Sequence, residues 1–137
     1  MRGADVSFLI LRLTVAIVMW PHGAQKALGL FGGHGIAGTV GGLSHLGIPA
    51  VLAYLVIAAE FLGPIALVLG VLTRLAALGI AIDMAVAALL VHAKNGFFMN
   101  FNGQQAGEGV EYFILIVGIG LALAVGGSGR YAILPRT

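Results

Sequence analysis

Four runs of apolar residues divide this chain, at about 6–28, 49–71, 75–93 and 110–126. Each is close to the roughly 20 residues that a helix needs to cross the hydrocarbon layer of a bilayer. Only a helix or a closed barrel can satisfy its own backbone hydrogen bonds where water is absent. Charged residues make up 9 % of the chain, against about 25 % in a soluble domain, which is too few to cover a globular surface in water. The expected fold is therefore all-α: one integral membrane antiparallel four-helix bundle spanning residues 1–137. Pro49 at the start of the second run, Thr73 as an N-cap for the third and Gly126-Gly127-Ser128-Gly129 after the fourth punctuate the helix ends.

The same residues exclude several functions. The 7 Lys and Arg residues are spread singly, with no basic cluster to follow a phosphate backbone, so no nucleic-acid partner is expected. Without cysteine there is no disulfide framework, dithiol pair, thiolate metal site or Cys-anchored lipid. Arg2 before an apolar run imitates a signal peptide. Arg12 interrupts that run and Pro21-His22-Gly23 offers no small-x-small cleavage site, so a retained first span is expected. Four spans place both termini and the short link at Leu72-Thr73-Arg74 on one side. Arg2, Arg74, Arg130 and Arg136 lie there, whereas Lys26 and Lys94 lie opposite. The positive-inside rule then makes both termini cytoplasmic in a multi-pass protein of a prokaryotic inner membrane.

The longer loops fall on the outer side. The first, Gly29–Ile48, has 8 glycines in 20 residues, yet Ile36, Val40 and Leu43 repeat at i, i+4, i+7, the spacing of a short helix in the membrane interface. Gly33-His34-Gly35-Ile36-Ala37-Gly38 matches G-x-G-x-x-G letter for letter, but it follows a membrane span and opens no βαβ unit, so a dinucleotide site is not expected. The second, Lys94–Gly109, mixes Phe97, Phe98, Met99 and Phe101 with several amides, which suits a headgroup layer or the mouth of a pocket.

Charged residues inside spans cost about 2.5–3.5 kcal/mol each at mid-helix and should face the bundle interior. Arg12, His22 and Lys26 fall within roughly 80° of one another on a helical wheel and make one polar face, about 21 Å long, on the first helix. Glu60 precedes Pro64 by four residues, so the Glu60 carbonyl loses its usual N–H donor at the level of its carboxylate. A structural ion pair is expected for Arg12, with Glu60 first and Asp83 second. Asp83 and His92, nine residues apart, point opposite ways on a straight helix. Glu108 and Glu111 suit the positive end of the fourth helix, and Gly118, Ala122 and Gly126 form a small-xxx-small seam along it.

The outer half thus gathers His22, Lys26, His92 and Glu111 in one layer, with Glu60 as its floor. Such a layer suits a quinone carbonyl, a metal held by two imidazoles and a carboxylate, or a haem between His22 and His92. Neither His has ligand spacing, so metal and haem are not expected.

The series Arg12, His22-Gly23-Ala24-Gln25-Lys26, Leu46-Gly47-Ile48-Pro49, Glu60 with Gly63, Leu69-Gly70-Val71-Leu72-Thr73-Arg74, His92 with Asn95-Gly96-Phe97-Phe98, and Glu111-Tyr112 resembles the DoxX family of small four-helix membrane proteins. The resemblance implies a subunit associated with respiratory-type electron transfer. Founding members of that family accompany thiosulfate:quinone oxidoreductase in archaeal membranes, and others belong to oxidative-stress and quinone or catechol detoxification systems. Some relatives are grouped with thiol-redox proteins, but a chain without cysteine has no residue for thiol chemistry. The expectation is a quinone-linked redox subunit whose ligand meets His22 or His92, with Glu60 or Glu111 managing a proton and Phe97 and Phe98 covering the ring. Its partners would be the bilayer and a soluble or membrane oxidoreductase that supplies electrons, with a homo-oligomer left open. The alternatives are a non-catalytic scaffold that anchors a soluble oxidoreductase and a small transporter built on Glu60 and Pro64.

Overall fold

The computed structural model describes residues 2–137 and holds five α-helices, with no strand among the described residues. They are α1 (Arg2–Leu28), α2 (Gly35–Ser44), α3 (Ala50–Leu69), α4 (Thr73–Ala87) and α5 (Glu111–Gly126). A π turn over Ala88–His92 and a 3₁₀ turn over Ala93–Asn95 extend α4. Arg2–Leu28, Ala50–Leu69 and Thr73–Asn95 are long and apolar enough to cross a membrane, and α5 is a shorter apolar helix of 16 residues. Helices of this length and composition make the chain a multi-pass membrane protein.

Local chemistry sets the helix ends. Pro49 stands in extended conformation just before α3, where its missing N–H costs nothing. Gly70 ends α3 at φ 66°, a left-handed position that favours glycine, and the Val71 N–H closes back on the Ala66 carbonyl. Leu72 completes the reversal at φ 49°. Thr73 consequently falls inside the first turn of α4, with its hydroxyl buried and unpartnered among the described residues, instead of serving as the cap.

The four longer helices form a ring in which α1 touches α3, α3 touches α4, α4 touches α5 and α5 returns to α1, while α2 lies across α1 and α3. Val15, Met19, Leu67, Ile80 and Leu123 are fully buried at its centre. Glycines bring two of these pairs close. A Cβ on Gly23 would sit 2.0 Å from the Glu60 carbonyl oxygen, and one on Gly120 would sit 3.0 Å from that of Ala77. Gly118 faces open space, so the expected seam through Gly118 is not what packs α5. Apolar residues cover α5 on all sides, and their spacing cannot say which face meets protein.

At the end that holds both termini, Arg12 is 1 % exposed and, among the described residues, no carboxylate is its partner. Its Nε donates to the Leu67 carbonyl at 2.7 Å and its Nη2 to that of Val68 at 3.0 Å, while Nη1 donates to Ser128 at 2.8 Å and Tyr131 at 2.7 Å. The expected pairing with Glu60 or Asp83 is thereby corrected. The last turn of α3 presents carbonyls that lack intrahelical donors at the negative end of the helix dipole, and a planar guanidinium with five N–H groups can serve several at once. Arg74 treats α5 the same way, donating to the carbonyls of Ala124 and Val125. Residues 127–137 fold back beneath the helices, where the Ile133 N–H meets the Leu69 carbonyl at 2.9 Å.

Candidate ligand-binding cavity

A cavity of about 450 Å³ lies towards the loop end, bounded by all five helices. Its construction begins at Gly23. With no side chain there, α1 packs directly against the Glu60 carbonyl, the one that Pro64 leaves without an N–H donor. Lys26 follows Gly23 by three residues and so lies on the same face of α1. Its Nζ donates to Glu60 Oε1 at 2.9 Å, and the two side chains are 27 % and 3 % exposed. A charged pair therefore stands at the floor of an otherwise apolar space, with the ammonium nearer the rim.

Asp83 on α4 also lines this cavity beside Glu60. Its Oδ2 is buried and receives no hydrogen bond among the described residues. His92 lines it too, which a straight helix carrying Asp83 would forbid. The π turn at Ala88–His92 supplies the difference. Each of its residues advances less around the axis than in an α-helix, so His92 swings back towards the side that carries Asp83. His92 then stacks on Phe113 with ring centroids 4.3 Å apart, and its Nδ1 lies 2.9 Å from the Glu108 carbonyl. His22 completes the set from α1 as an exposed lining residue at the mouth.

Three residues expected in this layer are placed elsewhere. Glu111 Oε1 accepts the Met99 N–H at 3.0 Å, and Glu108 accepts the Asn100 N–H, so these carboxylates tie down the second loop. Glu111 is not among the cavity-lining residues, and neither are Phe97 and Phe98. Those two rings form an exposed edge-to-face pair 5.2 Å apart. Their backbone explains it: the carbonyls of Phe97 and Phe98 receive the N–H groups of Glu111 and Gly109, and this short pairing turns the rings outward. In their stead the aromatic walls are Tyr112, whose hydroxyl contacts the Met19 sulfur at 3.7 Å, and Phe113. Both carry the period of α5 and are hard to tell from ordinary core in the sequence.

Chemically, the site offers one ammonium, two imidazoles, a tyrosine hydroxyl and the carboxyl groups of Glu60 and Asp83, with Glu108 at its edge held by the second loop, around an apolar space closed by Leu43, Leu46 and Ile48 from α2 and the residues after it. That suits an amphiphilic molecule with one polar end. Among the described residues, no three of His, Asp and Glu converge in a way that could hold a metal ion.

Comparison with known proteins gives a consistent picture. A family model described as DoxX matches residues 7–93. The chain is also 27 % identical, over 122 residues, to a Bacillus subtilis (strain 168) protein described as "Putative oxidoreductase CatD", covering 89 % of this chain and 81 % of that one. No solved structure matches.

Proposed function

The chain belongs to the DoxX family, and on that premise we propose that it is a membrane subunit linked to quinone-dependent redox chemistry, binding a small amphiphilic ligand such as a quinone in the loop-end cavity. The observation that carries this reading is the cavity itself, an apolar space of about 450 Å³ with a half-buried Lys26–Glu60 pair at its floor and imidazoles beside it. The oxidoreductase description of the Bacillus subtilis relative supports the redox assignment. The ring enters from the bilayer, its apolar face meets Leu43, Leu46 and Phe113, and its oxygen substituents meet His22, Lys26, Glu60 and His92. Glu60 and Asp83 are the groups placed to take up or give a proton as the ligand changes oxidation state. Electrons come from an oxidoreductase partner.

In the same reading α1, α3, α4 with its extension, and α5 are four spans of an antiparallel bundle in a prokaryotic inner membrane, with α2 in the outer interface. The Arg2, Arg74, Arg130 and Arg136 end is cytoplasmic.

Purification in mild detergent followed by mass spectrometry of the extracted small molecules, with equilibrium dialysis of an alkyl-substituted benzoquinone, tests the proposal. A co-extracted quinone or saturable binding that a His22→Ala, His92→Ala double variant loses is the expected result. Absence of both, with a co-purifying soluble oxidoreductase, would replace this reading with that of a scaffold.

A further inference from the structure

The cavity's polar atoms are not neutral as to which form of a ligand they prefer. Resting on the ligand-binding reading above, we infer that the site selects the hydroxyl-bearing form of its aromatic ligand, a hydroquinone or phenol, over the corresponding quinone, with His92 Nε2 as the acceptor.

One carbonyl fixes the tautomer of His92. His92 Nδ1 lies 2.9 Å from the Glu108 carbonyl oxygen. A carbonyl can only accept, so Nδ1 carries the hydrogen, and in a neutral imidazole Nε2 is then a bare lone pair. The Asn95 side-chain amide donates to the same carbonyl at 3.0 Å, which holds that oxygen in place. The stack on Phe113 at 4.3 Å fixes the plane of the ring. Turning the ring over to exchange its nitrogens would leave the carbonyl without its imidazole donor. The tautomer is therefore built into the junction of the π turn and the second loop, away from any ligand.

The other polar groups share this bias. The oxygens of Glu60, charge-paired with Lys26, are acceptors, and Asp83 Oδ2 has no donor among the described residues. Of the donors that line the cavity, Lys26 is engaged with Glu60, the Tyr112 hydroxyl is directed at the Met19 sulfur, and the His22 imidazole stands at the exposed mouth. A quinone brings only carbonyl oxygens, which can accept from Lys26 but set a lone pair against the lone pair of Nε2. A hydroquinone brings O–H groups that donate to Nε2 or to a carboxyl oxygen, and its oxygens still accept from Lys26. One hydrogen bond made against one left unmade corresponds to a preference of about tenfold.

Anaerobic titration calorimetry of the full chain in detergent, with an alkyl-substituted benzohydroquinone and then its benzoquinone, reads the preference directly. The hydroquinone should bind about tenfold more tightly. In His92→Asn the amide nitrogen still donates to the Glu108 carbonyl but nothing stands at the Nε2 position, and the preference should fall to within about twofold. Nitrogen NMR of the histidine-labelled native protein provides a readout that needs neither variant nor ligand, and should show one His with an unprotonated Nε2 and a protonated Nδ1. Equal or tighter binding of the quinone, or a protonated Nε2 in the neutral ring, overturns the inference and leaves the ligand-binding reading standing. Failure of both ligands to bind overturns the two together.

Discussion

Both ends of this molecule bury charge among apolar helices, and they do so with different partners. At the termini end the Arg12 guanidinium is matched to backbone carbonyls of Leu67, Val68, Ser128 and Tyr131. Those acceptors are fixed by the path of the main chain, and the guanidinium faces no open space. At the loop end the charge of Glu60 is matched to another side chain, Lys26, and Asp83 Oδ2 and one nitrogen of His92 have no partner among the described residues, around an open space. Charge held by backbone builds the fold, whereas charge held by side chains at a cavity leaves capacity for something else to bind.

The largest effect expected from breaking this contrast is at Arg12. Arg12→Met should cost about 4 kcal/mol or more, because it strips several buried carbonyls of their donor together. Thermal unfolding in detergent checks it, and a variant as stable as the native chain would mean that the termini end is not held in this way. Next comes Lys26→Met, at about 3 kcal/mol, since it leaves a nearly inaccessible carboxylate without its counter-charge. Gly23→Ala follows at about 2 kcal/mol, the usual scale for overpacking, because its Cβ would meet the α3 backbone. It should lower ligand affinity as well, as Lys26 withdraws from Glu60. Smallest is Glu60→Gln, at about 1 kcal/mol, since the ammonium it strands is near the rim and can turn to water. Lys26→Met ranks above Glu60→Gln because the two partners are unequally buried; for a pair equally buried at both ends the two losses would be equal.

Much of the frame was legible in the sequence because it is written in local chemistry. Pro49 precedes α3, and the Ile36, Val40 and Leu43 spacing falls on α2. The rarity of charge within apolar runs singled out Arg12, Lys26, Glu60, Asp83 and His92. Their pairing was not legible, for a physical reason in each case. Every residue has a carbonyl, so a guanidinium partnered by main chain leaves no mark at the positions that partner it. The helical wheel separates Asp83 from His92 only while α4 is regular, and nothing in Ala88-Leu89-Leu90-Val91-His92 announces a π turn. The outward turn of Phe97 and Phe98 depends on backbone pairing with Gly109 and Glu111, which residue type does not encode.

The Arg12 cluster also has a history in time. A ribosome delivers Arg12 to the membrane long before its acceptors exist: the carbonyls of Leu67 and Val68 follow 55 and 56 residues later, and those of Ser128 and Tyr131 follow 116 and 119 residues later. Until those segments are made, the arginine lacks the carbonyls that hold it in the folded chain. Residues 128–131 therefore complete the site last, and a chain ending before residue 128 would lack two of its four acceptors.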